Sequence, residues 1–518
     1  MNPIVEISSG KLRGAVIDGV VAFRGVPYGA STAGANRFMP PRPVAAWAGI
    51  RDVLDYAGQA PQARLGPAPR AEMVNFSGPP DASPETEDCL TLNVWTSAPD
   101  AAARRPVMVW LHGGAFSYGS SNSLRLQGMR LCTRGDVVLV TVNQRLNIFG
   151  HLDLSQFGGA EYAASGNAGA LDMIAALHWV RENIAAFGGD AANVTIFGES
   201  GGGGKVSTLL AMPSARGLFH RAIVQSGAAV RLRTRDRAAA LADAVLRELG
   251  LTRTSVMELH AVPMQRLLAA IGPAQQAIGA SPWPLLDRYP FGPVVDGTLL
   301  PRQPFDRDGT PVSADIPLII GDCTHEASLF LAHDDKVWHR TLTEAELRDR
   351  VSAIAGAHLD QVIETYRRLH PRATPAERLI ATLTDCNFRI RSLLMAERKA
   401  AQGAAPVRMY SFAWQTPLFD GRLGAPHAID VPFTFDTLEF TNATDRSAGA
   451  HALAATMSGA WAAFAHNGVP RHAGMPAWPA YTSGERATMV LDTPCRVIGD
   501  SGKETLEIWR EIADAEAA

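Results

Sequence analysis

From residue 106 onward, apolar runs that close on glycines alternate with stretches whose apolar residues recur at helical spacing. PVMVWLHGGAF (106–116) and DVVLVTVNQR (136–145) are continuous apolar runs, the pattern of strands buried on both faces. LDMIAALHWVRENIAAFGG (171–189) has helical spacing and stops at a glycine pair, and VTIF (194–197) follows as the next strand. AIVQSG (222–227) and IPLIIG (316–321) read as further strands. Between them lie helical stretches at 236–250 and 254–272 and the proline-rich SPWPLLDRYPFGPVVDG (281–297), which leave room for an inserted helical cap. Residues 343–403 are helical in composition, VRMYSFAW (407–414) reads as a strand, and MSGAWAAFAHNG (457–468) as a helix ended by glycine. This order predicts an α/β fold with a large, mostly parallel central sheet flanked by helices.

Two regions depart from that rhythm. Residues 4–24 alternate with turns at Ser9-Gly10 and Asp18-Gly19, which predicts a small N-terminal antiparallel sheet. Residues 57–86 are rich in Pro, Ala and Gly with little periodicity, so a long surface loop is expected there, of the kind that walls a cleft. No internal repeat or low-complexity linker divides the chain, and residues 1–518 are expected to form one domain.

Composition narrows the partners. The 518 residues are 47% hydrophobic and carry a net charge of −3, which supplies a large core and no basic excess for nucleic acid or an anionic membrane surface. No run of about 18 apolar residues predicts a membrane span. The N-terminus lacks the basic and apolar segments of a secretory signal, so a cytoplasmic location is expected. The five cysteines are scattered without C-x-x-C spacing, which points to reduced thiols and to neither a disulfide framework nor a metal site. A small-molecule substrate, no cofactor, and a monomer or small homo-oligomer are the resulting expectations.

The candidate chemistry centres on VTIFGESGGGGKVSTLLAM (194–212), where an apolar strand gives way to a helix-compatible run. Gly198, Ser200 and Gly202 make G-x-S-x-G, whose glycines let strand and helix approach while the serine takes a strained turn. The phosphate-loop alternative fails, because it needs glycine at Glu199 and a hydroxyl residue at Val206. Ser200 is therefore the candidate nucleophile. A serine hydroxyl needs a base, and among fourteen histidines His427 stands out, in the Gly/Pro-bracketed loop GRLGAPHAIDVPF after a predicted strand. Asp322 and Glu326, after the IPLIIG strand, are both candidates for the acid that orients it. HGGAF (112–116) offers the backbone N–H groups of Gly114 and Ala115 to an oxyanion, with that of Gly201 as a third.

These motifs resemble the type-B carboxylesterase family, the cholinesterase-like branch of the α/β-hydrolases, along nearly the whole chain. FRGVPYG (23–29), RFMPPRP (37–43), EDCLTLNVW (87–95), WLHGGAF (110–116), VTVNQRLNIFG (140–150), GNAGALD (166–172), FGGDAANVTIFGESGG (187–202), GLFHRAIVQSG (217–227) and FGPVVDG (291–297) carry the likeness in order. The resemblance implies a Ser200–His427–Glu326 triad at the foot of a gorge and so favours Glu326 over Asp322. It also implies Arg37–Glu87 and Arg145–Asp172 ion pairs, with Glu199 and Ser226 supporting the site. The implied activity is hydrolysis of small to medium neutral carboxylic esters, with a lipase or a non-catalytic binding protein of the same fold as alternatives. Residues 57–86, Phe76, Phe116, Trp283, Tyr289 and Phe291 are the expected substrate walls. Departures from the family pattern are Cys89 with no upstream cysteine, Ala327 where glycine is usual, Gly201 where alanine is usual, and Lys205, for which the sequence offers no account.

Overall fold

The computed structural model describes residues 2–279 and 289–515. Among them, eleven strands form one twisted sheet. Seven of these, Val138–Val142, Arg105–Leu111, Gly189–Glu199, Arg221–Gln225, Leu318–Cys323, Val407–Phe412 and Thr488–Leu491, lie side by side in parallel in that spatial order. Antiparallel strands complete both edges: Thr91–Thr96, Val20–Pro27 and Ala15–Ile17 on one side, Arg496–Ile498 on the other.

Strand alternation explains why the central runs are apolar throughout. Val107, Val109, Ile196, Val224 and Ile320 point to one core, while Met108, Trp110, Phe197, Ile223 and Ile319 point to the other. Ala168–Asn183, Gly201–Ala211 and Ile390–Ala401 cover the first face, and Ala448–Asn467 covers the second. A satellite core beneath Arg235–Glu248 and Met264–Ala277 is the predicted helical cap, closed by Phe38, Phe149 and Phe291.

Several boundaries differ from the expectation. The N-terminal sheet is mixed: Ile4–Ile7 pairs antiparallel with Gly10–Arg13, which in turn takes Ile50–Asp52 in parallel, and residues 15–27 go instead to the edge of the large sheet. The stretch 254–272 breaks at Pro263, which lacks the N–H to continue a helix and stands before Met264–Ala277. The helix read at 457–468 begins at Ala448, because Ser447 caps it through the N–H of Ala450. Residues 57–86 are irregular as expected, with a 3-10 turn at Ala71–Met73. Among the described residues no helix is long and apolar enough to cross a membrane.

Two ion pairs brace the loops above the sheet. Arg145 and Asp172, both fully buried, meet in a two-point contact of 2.6 and 2.8 Å, and Arg145 also reaches the Met39 carbonyl. Arg37 grips Glu87 the same way and donates to the carbonyls of Leu259 and Val262, tying the cap to the body. Fork-to-carboxylate geometry of this kind is strong because two parallel hydrogen bonds share one charge pair.

Candidate active site

Ser200 sits where the Gly189–Glu199 strand turns directly into the Gly201–Ala211 helix, with φ 57° and ψ −125°. A non-glycine residue held there costs about 1–3 kcal/mol, and the surroundings over-determine it. The Ser200 N–H donates to Gln225 O at 2.8 Å and its carbonyl accepts from Gly204 N at 3.0 Å. The approach is so close that a Cβ on Gly202 would stand 2.0 Å from Leu111 O, and one on Gly227 the same distance from Ser200 O. Glycine is required at both.

His427 comes from the loop before Val431–Phe435, and its Nε2 lies 2.8 Å from Ser200 Oγ. Its Nδ1 faces Glu326 Oε2. Glu326 opens a short helix after the Leu318–Cys323 strand, and its other oxygen accepts from Ser226 Oγ at 2.5 Å and Cys323 N at 2.7 Å. The carboxylate is thus fixed on every side. Asp322, the other candidate acid, is turned away and pairs with Arg389 at 3.2 Å. The two loops are also joined, because His325 N donates to Ala425 O. Glu199 brings Oε1 to 3.2 Å from His427 Nε2. Burial opposes a charge on the imidazole, but the Glu199 and Glu326 carboxylates outweigh it and raise the His427 pKa. Burial likewise pushes the Glu199 carboxyl up.

Two aromatic neighbours of the imidazole escaped sequence reasoning. Phe330 and Phe388 place their rings 4.9 and 5.0 Å from His427 and shield it from water. Phe388 stands in a π-helical turn, Asp385–Arg389, that interrupts an otherwise continuous pair of helices. No motif marks that turn, so nothing in the sequence pointed to Phe388.

In the HGGAF loop, Gly114, Ala115 and Phe116 all have positive φ, at 98°, 50° and 58°. Among the described residues, the N–H groups of Gly114, Ala115 and Gly201 find no protein acceptor. A Cβ at position 201 would stand 2.4 Å from Ala115 N, so glycine in place of the family's alanine permits this close approach. His112 braces the loop, with Nδ1 on Gly113 O and Nε2 beside the Gln144 amide.

A cavity of about 350 Å³ opens beside Ser200. Phe116, Tyr289 and Phe291 line it. Trp283 lies outside the described residues. Phe76 is not on this wall: the turn at Ala71–Met73 directs Met73 and Phe76 into the core, where Phe76 packs against Phe419. Nor does the 57–86 loop line the cavity; it buttresses the segment after HGGAF from outside through Ala63 N to Ser117 O and Gly119 N to Gln62 Oε1. Residues 226–233 and the Cys386–Arg398 region wall it instead.

A serine raised on a strained strand-to-helix turn, met by His and Glu from later loops at the C-terminal edge of a mostly parallel sheet, defines the α/β-hydrolase class. Within that class the chain belongs to the carboxylesterase family, which it matches over residues 1–509, and it is an ester hydrolase. It is 35% identical to a para-nitrobenzyl esterase of Bacillus subtilis over 505 residues, 97% of each chain. It is 34% identical to a phenmedipham hydrolase of Pseudarthrobacter oxydans, covering 99% of this chain and 97% of that one. The crystal structure of Geobacillus stearothermophilus carboxylesterase EST55 at pH 6.2 superposes with a TM-score of 0.84 at 36% identity, over 98% of this chain and 99% of that one.

Proposed function

We propose that the chain cleaves carboxylic esters through an acyl-enzyme on Ser200, with His427 as base and Glu326 as its orienting acid. The observation that carries this reading is the unbroken line from Ser200 Oγ through His427, with Nε2 at 2.8 Å, to a Glu326 carboxylate held by Ser226 and Cys323. His427 takes the hydroxyl proton as Oγ bonds to the ester carbonyl carbon. The carbonyl oxygen then carries the negative charge, which the N–H groups of Gly114, Ala115 and Gly201 stabilise. Collapse breaks the bond to the alcohol, which leaves with the proton from His427. Water, deprotonated by the same imidazole, attacks the acyl-enzyme, and the acid departs as Ser200 recovers its proton.

The cavity's size and its aromatic lining suit small to medium neutral esters. The names of the two bacterial relatives make p-nitrobenzyl and aryl esters the first substrates to try. A graded p-nitrophenyl ester series combined with organophosphate labelling tests the reading. One phosphorylated residue per chain, Ser200, with loss of all turnover is the expected result; labelling elsewhere, or activity surviving full labelling, would refute it.

A further inference from the structure

Lys205 lies in the helix that follows Ser200, is fully buried, and has no part in the proton relay. Among the described residues it has no carboxylate partner within ion-pair distance. Its Nζ donates a hydrogen bond 2.7 Å long to the carbonyl oxygen of His112 and stands 3.5 Å from Nδ1 of the same residue. The same Nζ stands 5.9 Å from the Phe116 ring centroid, so it lies beneath both ends of the HGGAF loop.

That loop needs support. Three consecutive residues, Gly114, Ala115 and Phe116, hold positive φ, and two of them are not glycine. Such a segment persists only where its surroundings fix it. At its far end Asn147 N donates to Phe116 O at 2.6 Å. At its near end Lys205 holds the His112 carbonyl, next to the contact of His112 Nδ1 on Gly113 O. Lys205 also belongs to the helix whose first N–H, that of Gly201, completes the donor set. One side chain therefore joins the two pieces of backbone whose spacing an oxyanion would read.

We propose that Lys205 is a positioning residue for ester hydrolysis, which holds the His112 carbonyl and so keeps the Gly114 and Ala115 donors in register with Gly201. The assignment rests on the ester-hydrolysis reading of Ser200. Its cost to the fold supports it. Burial drives the lysine well below its ordinary range and nothing charged offsets that, so a thioether of similar length would fill the site at less expense. A residue that weakens the fold while supporting the site is a common exchange of stability for activity.

The test is Lys205→Met, compared with wild type on one p-nitrophenyl ester. A direct oxyanion donor is worth about 10²–10³ in kcat, and a residue that only aims two donors is expected to be worth about tenfold. Expected are a kcat about tenfold lower, a KM within about twofold, and an unfolding midpoint no lower than wild type. A trifluoromethyl ketone, whose adduct places an oxyanion in the site, should lose affinity by the same factor as kcat/KM. The carbonyl stretch of the acyl-enzyme should move to higher frequency as donation weakens. Unchanged kcat, a loss expressed in KM alone, or unaltered ketone affinity would overturn the proposal. A variant too unstable to purify would overturn it as well, by showing that Lys205 serves the fold. Wild-type protein that formed no acyl-enzyme at Ser200 would instead remove the hydrolysis reading beneath it.

Discussion

Ser200 and its neighbours make predictions that single substitutions decide. Ser200→Ala deletes one oxygen and the bond it forms, so kcat/KM should fall by about 10⁴-fold or more while the fold is kept. A folded variant with near wild-type turnover on p-nitrophenyl esters would end the mechanism. The pH profile follows from the pair His427 and Glu199. Burial opposes protonation of the imidazole, but the carboxylates of Glu199 and Glu326 favour it more, so the His427 pKa stands above 6.5. In the proposed mechanism the working form is neutral imidazole. Activity is therefore low below that pKa, rises through it, and its acid limb lies above pH 6.5. Because Glu199 is itself raised by burial, the two groups titrate as a pair. Glu199→Gln removes one carboxylate at 3.2 Å and should move the limb toward lower pH by about one unit. A limb that stays in place, or moves up, would show that Glu199 does not act on the imidazole.

Elements, rather than residues, decide how much of the site could be read from the chain. The elbow was legible because its demand is steric and local: a Cβ on Gly202 would stand 2.0 Å from Leu111 O, so the glycine spacing is written directly into the sequence. Gly202→Ala should therefore leave little folded, active protein, measured as soluble yield and turnover together. The central strands were legible for a similar reason, since burial on both faces makes them apolar throughout. Glu326 and Asp322 were not separable by composition, because both follow the IPLIIG run and both are buried; what differs is a contact of Glu326 with the His427 loop, 101 residues away. The aromatic shield of His427 was less legible still. Phe388 reaches the imidazole through a π turn that shifts the helical face, and a periodic reading of 343–403 passes over it. Phe388→Ala, by admitting water to the imidazole, should lower kcat more than it raises KM, and an unchanged kcat would refute that shielding role. The 57–86 loop misled for the opposite reason: its irregular composition suited a cavity wall, yet its hydrogen bonds to Ser117 and Gly119 put it behind the HGGAF loop.

At the scale of the whole molecule, the distribution of aromatic faces and charge governs which alcohol groups the site admits. A quaternary ammonium is held by aromatic faces, tryptophan best, each contact worth about 0.5–2 kcal/mol. No tryptophan lies between Trp47 and Trp95, and Phe76, the candidate stand-in, is packed against Phe419 in the core. The neighbouring Trp338 already carries two cations, with the Arg70 and Arg422 guanidiniums 5.1 and 5.6 Å from its ring centroid. The cavity wall itself includes the exposed Arg231. Aromatic attraction is therefore small, and the Arg231 guanidinium has the wrong sign for a cationic substrate. Acetylcholine and its uncharged carbon isostere share acyl group and shape, so the ratio of their kcat/KM values isolates charge. The neutral ester should be preferred by about tenfold, equivalent to about 1.4 kcal/mol, and the gap should narrow as salt screens the exposed Arg231 end of the wall. A preference for the charged ester that is insensitive to salt would mean that an aromatic cage, and not the arginine-bearing wall, receives the alcohol.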